Sequence, residues 1–153
     1  MEHAVRFEEI TEETVLDVIR LSGTLLEGQE RAVASNAVSI AQAHFAKNAW
    51  FRAIYAGDDM VGFIMLDFTP DPRMKDFKHA SMWRFMIGGK YQKMGYGRDA
   101  ILLLIEYLKA QGYEKLFTSC VVNEPSPLHF YLKLGFVDTG EWDDDEKILM
   151  RDL

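Results

Sequence analysis

The segment that most constrains the fold of this chain is a glycine-containing turn between an apolar strand and an amphipathic helix. Residues 80–87 predict the strand, and apolar residues at helical spacing predict a helix from Gly97 to about Gln111. The connecting segment, Gln92-Lys93-Met94-Gly95-Tyr96-Gly97, holds two glycines two residues apart. Glycine lets a backbone turn tightly and approach a ligand, because no Cβ intervenes. We therefore expect a strand–turn–helix unit with accessible backbone at the start of the helix.

Positive charge is concentrated around the same turn. Lys90, Lys93 and Arg98 flank it, and residues 73–98 together carry +6, which leaves −13 for the rest of a chain whose net charge is −7. The unpartnered N–H groups at a helix start attract anions, so this combination favours a pyrophosphate as the ligand. The alternatives are a tight glycine turn without a ligand and a basic segment that is only solvated surface.

Composition argues against several other kinds of protein. The 153 residues fit one domain, residues 1–153, and 48% hydrophobic residues provide enough material for a core. The negative net charge disfavours nucleic acid and anionic membranes as partners. No apolar run approaches the ~18 residues of a membrane span, the first residues lack a signal peptide, and one cysteine suits a reducing compartment. We expect a soluble cytoplasmic protein that binds neither nucleic acid nor membranes.

Hydrophobic patterning predicts an α/β fold. The order is strand, two helices, three strands, helix, strand, helix and two strands, which indicates a mixed sheet. The strands are expected at about 4–10, 50–56, 60–68, 80–87, 116–122, 135–137 and 147–151. Val38, Ala41 and Phe45 form the expected apolar face of the second helix, over 33–46. Leu128, Tyr131 and Leu132 are expected to point inward from the last helix.

The sequence contains no motif for a metal site or a covalent nucleophile. Four histidines lack the spacing of metal ligands, and no serine-hydrolase or P-loop motif occurs (the histidines are His3, His44, His79 and His129). Cys120 lies in the middle of a predicted strand, where a buried inert thiol is more common than a nucleophile. We expect no metal and no covalent enzyme intermediate.

The turn and its neighbours resemble the GNAT superfamily of N-acetyltransferases. Its phosphate-loop pattern is matched by Gln92, Gly95 and Gly97, and the flanking segments 83–87 and 131–136 fall at similar intervals. The resemblance implies a GNAT-like fold, a mixed and mostly antiparallel sheet of about six to seven strands with about four helices. It also implies acetyl-CoA as cosubstrate and direct transfer to an amine in a ternary complex.

The resemblance implies roles for particular residues. The backbone of Phe85, Met86 and Ile87 would pair with the pantetheine arm, and Tyr131 would protonate the leaving thiolate. The amides from Gln92 to Arg98 would bind the pyrophosphate; these residues are Gln92, Lys93, Met94, Gly95, Tyr96, Gly97 and Arg98. The alternative for Tyr131 is a core aromatic residue. An Asn seven residues before the Tyr usually contacts CoA, but Glu124 occupies that position here, and Asn123 is the candidate.

A narrower resemblance is to bacterial spermine/spermidine acetyltransferases, carried by residues 27–43, 83–87 and 139–141. It implies a polyamine acceptor, with Glu27, Glu30 and Glu141 binding its ammonium groups. The acidic run 143–146 is interpreted as solvated surface, and the general base is not assigned. The alternatives are another small amine or a peptide as acceptor, or a silent acyl-CoA-binding module. Many members of the superfamily dimerise, so the resemblance also allows a homodimer.

Overall fold

The computed structural model describes residues 3–153 and contains one seven-stranded sheet in the order β1-β2-β3-β4-β5-β7-β6. The strands are β1 Arg6–Glu8, β2 Ala49–Ala56, β3 Asp59–Asp67, β4 His79–Ile87, β5 Lys115–Cys120, β6 Val137–Asp143 and β7 Glu146–Asp152. The helices are α1 Val15–Leu21, α2 Asn36–Phe45, α3 Tyr96–Ala110 and α4 Leu128–Lys133, with short 3-10 turns at Ser22–Thr24, Gln29–Arg31 and Gly89–Tyr91. The predicted fold class and element order are confirmed.

Every strand pair within residues 3–153 is antiparallel except β4 with β5, which are parallel and are joined through α3. A parallel pair needs such a crossover, because a tight turn can only reverse the chain. The register of β4 with β5 covers only residues 79–82 against 115–118. The sheet is therefore continuous at the start of β4 and open beside its second half.

Two apolar clusters cover the two faces of the sheet. One face packs against α3 and α4 and includes Ile64, Leu104 and Phe136, and the other packs α1 against Phe63 and Met86. Neighbouring β3 residues enter different clusters because successive side chains of a strand point to opposite faces. None of the helices in the described part of the chain is long and apolar enough to cross a membrane.

The predicted inner face of α2 is wrong. Val38 is 48% exposed and Phe45 is 86% exposed, whereas Asn36 and Ser39 are buried. The side-chain amide of Asn36 donates to the carbonyl of Val18 at 2.8 Å, so a polar contact fixes this side of the helix. Hydrophobic periodicity alone predicts that the opposite face is buried, because it takes no account of buried hydrogen bonds.

Two further expectations near the C-terminus are corrected. Leu132 is 43% exposed and does not point into the core, although Tyr131 beside it is buried as expected. The acidic run 143–146 is expected to be solvated surface: residues 143–145 are exposed, but Glu146, the first residue of β7, is partly buried. The hairpin pairs with β5 through β7, so it brings the carboxylate of Glu146 beside Ser119 of β5.

Candidate active site

The site is centred on the gap where β4 and β5 separate. Met82 is the last β4 residue in register with β5, and its carbonyl accepts a hydrogen bond from the Thr118 hydroxyl at 3.2 Å. On its other side, β4 stays paired with β3 as far as Ile87. The edge of residues 83–87 that faces β5 therefore has no strand partner in the described part of the chain, and such an edge can dock an extended ligand.

A bulge in β4 directs side chains into this gap. Met65 pairs with Arg84 and Leu66 pairs with Met82, so Trp83 is an extra residue without an opposite partner. The Arg84 guanidinium lies 5.1 Å from the Trp83 ring and donates to Gln42 at 3.1 Å. Its Nε is buried and, among residues 3–153, has no hydrogen-bond partner.

One end of the gap is the start of α3. Gly95 precedes the helix with φ of +88°, a conformation that suits glycine. The backbone N–H of Asp99 donates to the carbonyl of Gly95 at 3.0 Å. That bond is the first of the helix, so the amides of Tyr96, Gly97 and Arg98 have no acceptor within α3. A Cβ on Gly97 would lie 3.4 Å from the Phe130 ring, so the space above this turn is narrow.

Part of the basic segment surrounds this turn. Lys93 and Arg98 are exposed and line the cleft that opens beside the turn. Arg73 instead pairs with Asp71 at 2.8 Å, and Lys78 donates to the carbonyl of Gln111 at 2.9 Å. Only a subset of the predicted positive charge is available to an anion at the helix start.

A reciprocal amide pair joins the turn to the opposite wall. Gln92 and Gln29 donate to each other at 2.8 and 2.9 Å, and Gln92 also donates to the carbonyl of Ile87 at 2.9 Å. Gln29 belongs to the 3-10 turn Gln29–Arg31, so this contact holds segment 29–34 beside β4. The result is a cleft of about 850 Å³ between the two walls.

Tyr131 lies on the α3–α4 side of the cleft. It lines the cleft, is 5% exposed and packs against the rings of Phe130 and Phe136. Burial is the main reason that the pKa of its phenol is raised, and the charges of Cys120 and Glu146 add to the shift. The phenol therefore stays protonated at neutral pH and can donate a proton.

Cys120 is a poor nucleophile in this position. It is buried, and burial, with the nearby Glu146 charge, raises the pKa of its thiol to about 11. Only a small fraction is thiolate at neutral pH. The interpretation of Cys120 as an inert thiol agrees with this environment.

Most of the residues predicted to bind the cofactor line the cleft: Phe85, Met86, Ile87, Gln92, Lys93, Gly95, Gly97 and Arg98. Met94, Tyr96 and Asn123 are not part of its lining; Met94 is 62% exposed. In place of Asn123, the following segment contributes Pro125, Ser126 and Pro127. The Ser126 hydroxyl donates to the carbonyl of Val121 at 2.6 Å, which fixes the path of this segment.

The predicted acceptor residues divide in the same way. Glu30 lines the cleft, whereas Glu27 and Glu141 are exposed and lie outside its lining. Sequence reasoning missed Asp145 and Glu146, which do line it. Glu146 accepts a hydrogen bond from the Ser119 hydroxyl at 3.3 Å. No local pattern marks Glu146, because only the pairing of β7 with β5 brings it to the gap.

A second cavity of about 380 Å³ continues from the cleft on the other face of the sheet. Its lining adds Asp67, Ser81, Phe117, Asp143 and Ile148. The two cavities share Met82, Trp83, Arg84, Thr118, Ser119 and Glu146. Ile148 pairs with Ser119, and the side chains of both lie opposite the α3–α4 core. Within residues 3–153 no group of three or more metal-ligating side chains is arranged to hold a metal ion.

Known proteins resemble this chain in sequence and in fold. Residues 23–136 match the family described as the acetyltransferase (GNAT) family. The spermine/spermidine N(1)-acetyltransferase of Bacillus subtilis strain 168 is 31% identical over 105 residues, which are 65% of this chain and 68% of the relative. Two solved structures share the fold at low sequence identity.

An acetyltransferase of Thermus thermophilus has a TM-score of 0.79 at 14% identity over 99% of this chain and all of its own. The PaiA N-acetyltransferase of Thermoplasma acidophilum, solved with coenzyme A, has a TM-score of 0.73 at 15% identity over the whole of both chains. The opened sheet edge, the glycine turn at the start of α3 and the family match lead to one conclusion. The chain belongs to the acetyltransferase (GNAT) family and is an acetyl-CoA-dependent N-acetyltransferase of that type.

Proposed function

We propose that this protein transfers an acetyl group from acetyl-CoA to a primary amine of a polyamine, spermidine or spermine. The observation that carries the proposal is the group of carboxylates that line the cleft and the second cavity. Glu30, Asp145 and Glu146 line the cleft, and Asp67 and Asp143 extend the acidic lining into the second cavity. An acidic lining attracts a polycation and favours it over neutral acceptors.

The residues around the gap fit an acetyl-CoA molecule. The amides at the start of α3, with Lys93 and Arg98 beside them, would hold the pyrophosphate. The unpaired edge of Phe85, Met86 and Ile87 would pair with the amide groups of the pantetheine arm. An N–H of the same edge is suited to stabilise the negative charge that develops on the thioester oxygen.

Transfer is proposed to be direct, within a ternary complex. The amine nitrogen attacks the thioester carbon, the C–S bond breaks, and the thiolate receives a proton from Tyr131. Burial keeps the phenol protonated, which suits it to this role. Cys120, with its pKa raised to about 11, is not suited to form an acyl-enzyme intermediate.

The relatives support the choice of acceptor. Two Bacillus subtilis proteins at 31% identity are named as spermine or spermine/spermidine N(1)-acetyltransferases. The lining also contains cations: Arg31 lies next to Glu30 and Arg84 near Glu146, and each guanidinium repels a cation. We therefore propose that a polyamine binds along the carboxylates and only its reacting end approaches Arg84.

The test is the release of CoA thiol with spermidine, a lysine-containing peptide and an aminoglycoside at two salt concentrations. We expect the highest kcat/KM with spermidine and a fall in that value at high salt, because salt screens the attraction between the cation and the lining. Spermidine turnover that is no better than the others, or that is indifferent to salt, would contradict the polyamine assignment.

A further inference from the structure

We propose that Glu146 accepts the proton of the reacting ammonium group, so that the acceptor amine attacks from the face of the sheet opposite Tyr131. The inference rests on the proposed function and adds to it the residue that activates the acceptor. It is carried by the position of Glu146 at the junction of the two cavities, where it lines both.

Strand geometry places Glu146 and Tyr131 on different sides of the gap. Leu149 of β7 lies in the α3–α4 core, so Ile148 and Glu146 point to the opposite face. Tyr131 belongs to the α3–α4 core itself. A thioester held in the gap would thus have a proton acceptor on one face and a proton donor on the other.

The opposed arrangement matches the chemistry of the transfer. The nucleophile approaches the carbonyl carbon while the thiolate departs, so the two proton transfers occur at different atoms. One proton of the ammonium group moves to Glu146, and the nitrogen lone pair then forms the C–N bond. A second proton of the nitrogen goes to the Tyr131 phenolate and replaces the proton that Tyr131 donated to sulfur. The third proton remains on the amide product. The proton on Glu146 leaves to solvent through the second cavity.

The surroundings of Glu146 suit a proton acceptor. Burial raises the pKa of its carboxyl, while the hydrogen bond from Ser119 opposes that shift. The charged and titratable groups around Glu146 come from several elements: Asp67 of β3, Arg84 of β4, Cys120 of β5, Tyr131 of α4, Asp143 of β6, Asp145 of the turn and Lys147 of β7. Asp145 and Asp143 raise the pKa of Glu146 and Arg84 lowers it.

Arg84 has a second effect on the incoming amine. Its guanidinium lies near Glu146, and its buried Nε has no partner within residues 3–153. A fixed cation at this point disfavours a second one, so it lowers the pKa of the bound ammonium group and favours loss of its proton. Arg84 therefore favours loss of the ammonium proton, although it also lowers the pKa of the Glu146 carboxyl that receives this proton.

The experiment compares Glu146→Gln with Asp144→Asn in acetylation of the best amine substrate over pH 5.5 to 10. Asp144 lies in the same hairpin with φ of +56°, which asparagine tolerates, is exposed and lines neither cavity. We expect Glu146→Gln to lose about 100-fold in kcat/KM at pH 7, and the Asp144→Asn enzyme to match the wild type.

The pH profile separates catalysis from binding. The wild-type kcat/KM should fall below the raised pKa of Glu146 and be level above it, up to the amine pKa of about 10. The Glu146→Gln enzyme should instead rise tenfold per pH unit up to that amine pKa, because it uses only free amine. A variant that keeps the wild-type profile, or changes only KM, overturns the assignment.

Two further measurements keep the result interpretable. Thermal melting and acetyl-CoA affinity show whether Glu146→Gln is folded. If it is not folded, Ser119→Ala replaces it in the experiment. Loss of the hydrogen bond from Ser119 should raise the pKa of Glu146 and move the acidic limb of the kcat/KM profile to higher pH. An acidic limb that does not move would overturn the proposal. A wild-type enzyme that binds acetyl-CoA but acetylates no amine would instead overturn the proposed function, and the role of Glu146 with it.

Discussion

The two proposed ends of the cleft are built from different parts of the chain. The donor end, at the start of α3, consists largely of backbone amides and glycines from one continuous segment. The acceptor end consists of side chains from β4, β5 and the β6–β7 hairpin, including Arg84, Ser119 and Glu146. Backbone recognition depends on local conformation, whereas the acceptor end depends on how distant strands pair.

This difference predicts that substitutions at the two ends change different kinetic quantities. Changes at the donor end should alter acetyl-CoA affinity. Changes at the acceptor end should alter the KM for the amine or, at Glu146, the value of kcat/KM and its pH dependence. Tyr131, between the two, should alter kcat with little effect on either affinity.

Tyr131→Phe is expected to have an effect as large as that of Glu146→Gln and larger than the effects of the substitutions that follow. Loss of the proton donor should lower kcat by about 100-fold, because general-acid contributions are typically ~10²–10⁴-fold and a thiolate is a fair leaving group. Since burial raises the pKa of Tyr131 above its ordinary value, the wild-type kcat should not decline through phenol ionisation between pH 8 and 9.5. Initial rates over pH check both points.

Tyr107→Phe is the matched control for that variant. Tyr107 lies on α3, is 37% exposed and stacks on Trp50, outside the lining of the cleft. Its substitution should leave kcat unchanged. A Tyr131→Phe enzyme with wild-type kcat would reduce Tyr131 to a packing residue.

The next effect concerns the donor end. Gly97→Val should weaken CoA binding by about 30-fold. The valine side chain would occupy the narrow space beside the Phe130 ring and keep the pyrophosphate from the backbone amides. Each charge-assisted hydrogen bond lost in this way costs about 1.5–3 kcal/mol. Calorimetry measures the affinity and thermal melting checks the fold. Gly23→Val is the control, since nothing lies within 4 Å of its Cβ position. Unchanged affinity in a folded Gly97→Val protein would remove the pyrophosphate from this turn.

A smaller effect is expected where the amide pair links the two walls. Gln29→Ala removes both hydrogen bonds to Gln92, each contributing about 1 kcal/mol. Gln92 keeps its bond to the Ile87 carbonyl, so we expect about half of that energy, about 1 kcal/mol or fivefold, to be lost from acetyl-CoA affinity. A double-mutant cycle with Gln92→Ala measures the coupling. Additive losses in the cycle would show that the pair does not act as a unit.

The smallest effect distinguishes two carboxylates of the same segment. Glu30 lines the cleft and Glu27 does not, although both are exposed. Glu30→Gln should raise the KM for spermidine about threefold, since exposed charge pairs contribute at most about 1 kcal/mol. Glu27→Gln should leave KM unchanged. Equal effects of the two would favour a general surface potential over a defined acceptor site.

The same distinction between local and distant structure explains what the sequence can predict. The turn at Gly95 and Gly97, its helix and its flanking strand are local features, and spacing and glycine chemistry are enough to find them. The position of Tyr131 follows from family resemblance. The face of α2 could not be predicted from hydrophobic spacing, because Asn36 faces inward through its hydrogen bond to Val18.

Glu146 shows the limit of sequence-based prediction most clearly. In the sequence it closes an acidic run that is typical of solvated surface. It reaches the gap because the β6–β7 hairpin pairs with β5, far from it in the chain, and because β4 separates from β5 after Met82. Both are properties of the assembled sheet.

The central claim is that the cleft passes through the gap between β4 and β5, with the donor at α3 and the acceptor amine beside Glu146. A crystal structure with a covalent spermine–CoA bisubstrate analogue tests it most directly. We expect the pyrophosphate on the amides of residues 96–98, the pantetheine arm along residues 85–87, and the spermine chain in the second cavity with its first nitrogen beside Glu146. A pyrophosphate bound away from α3, or a spermine chain that leaves on the Tyr131 side of the sheet, would contradict the account.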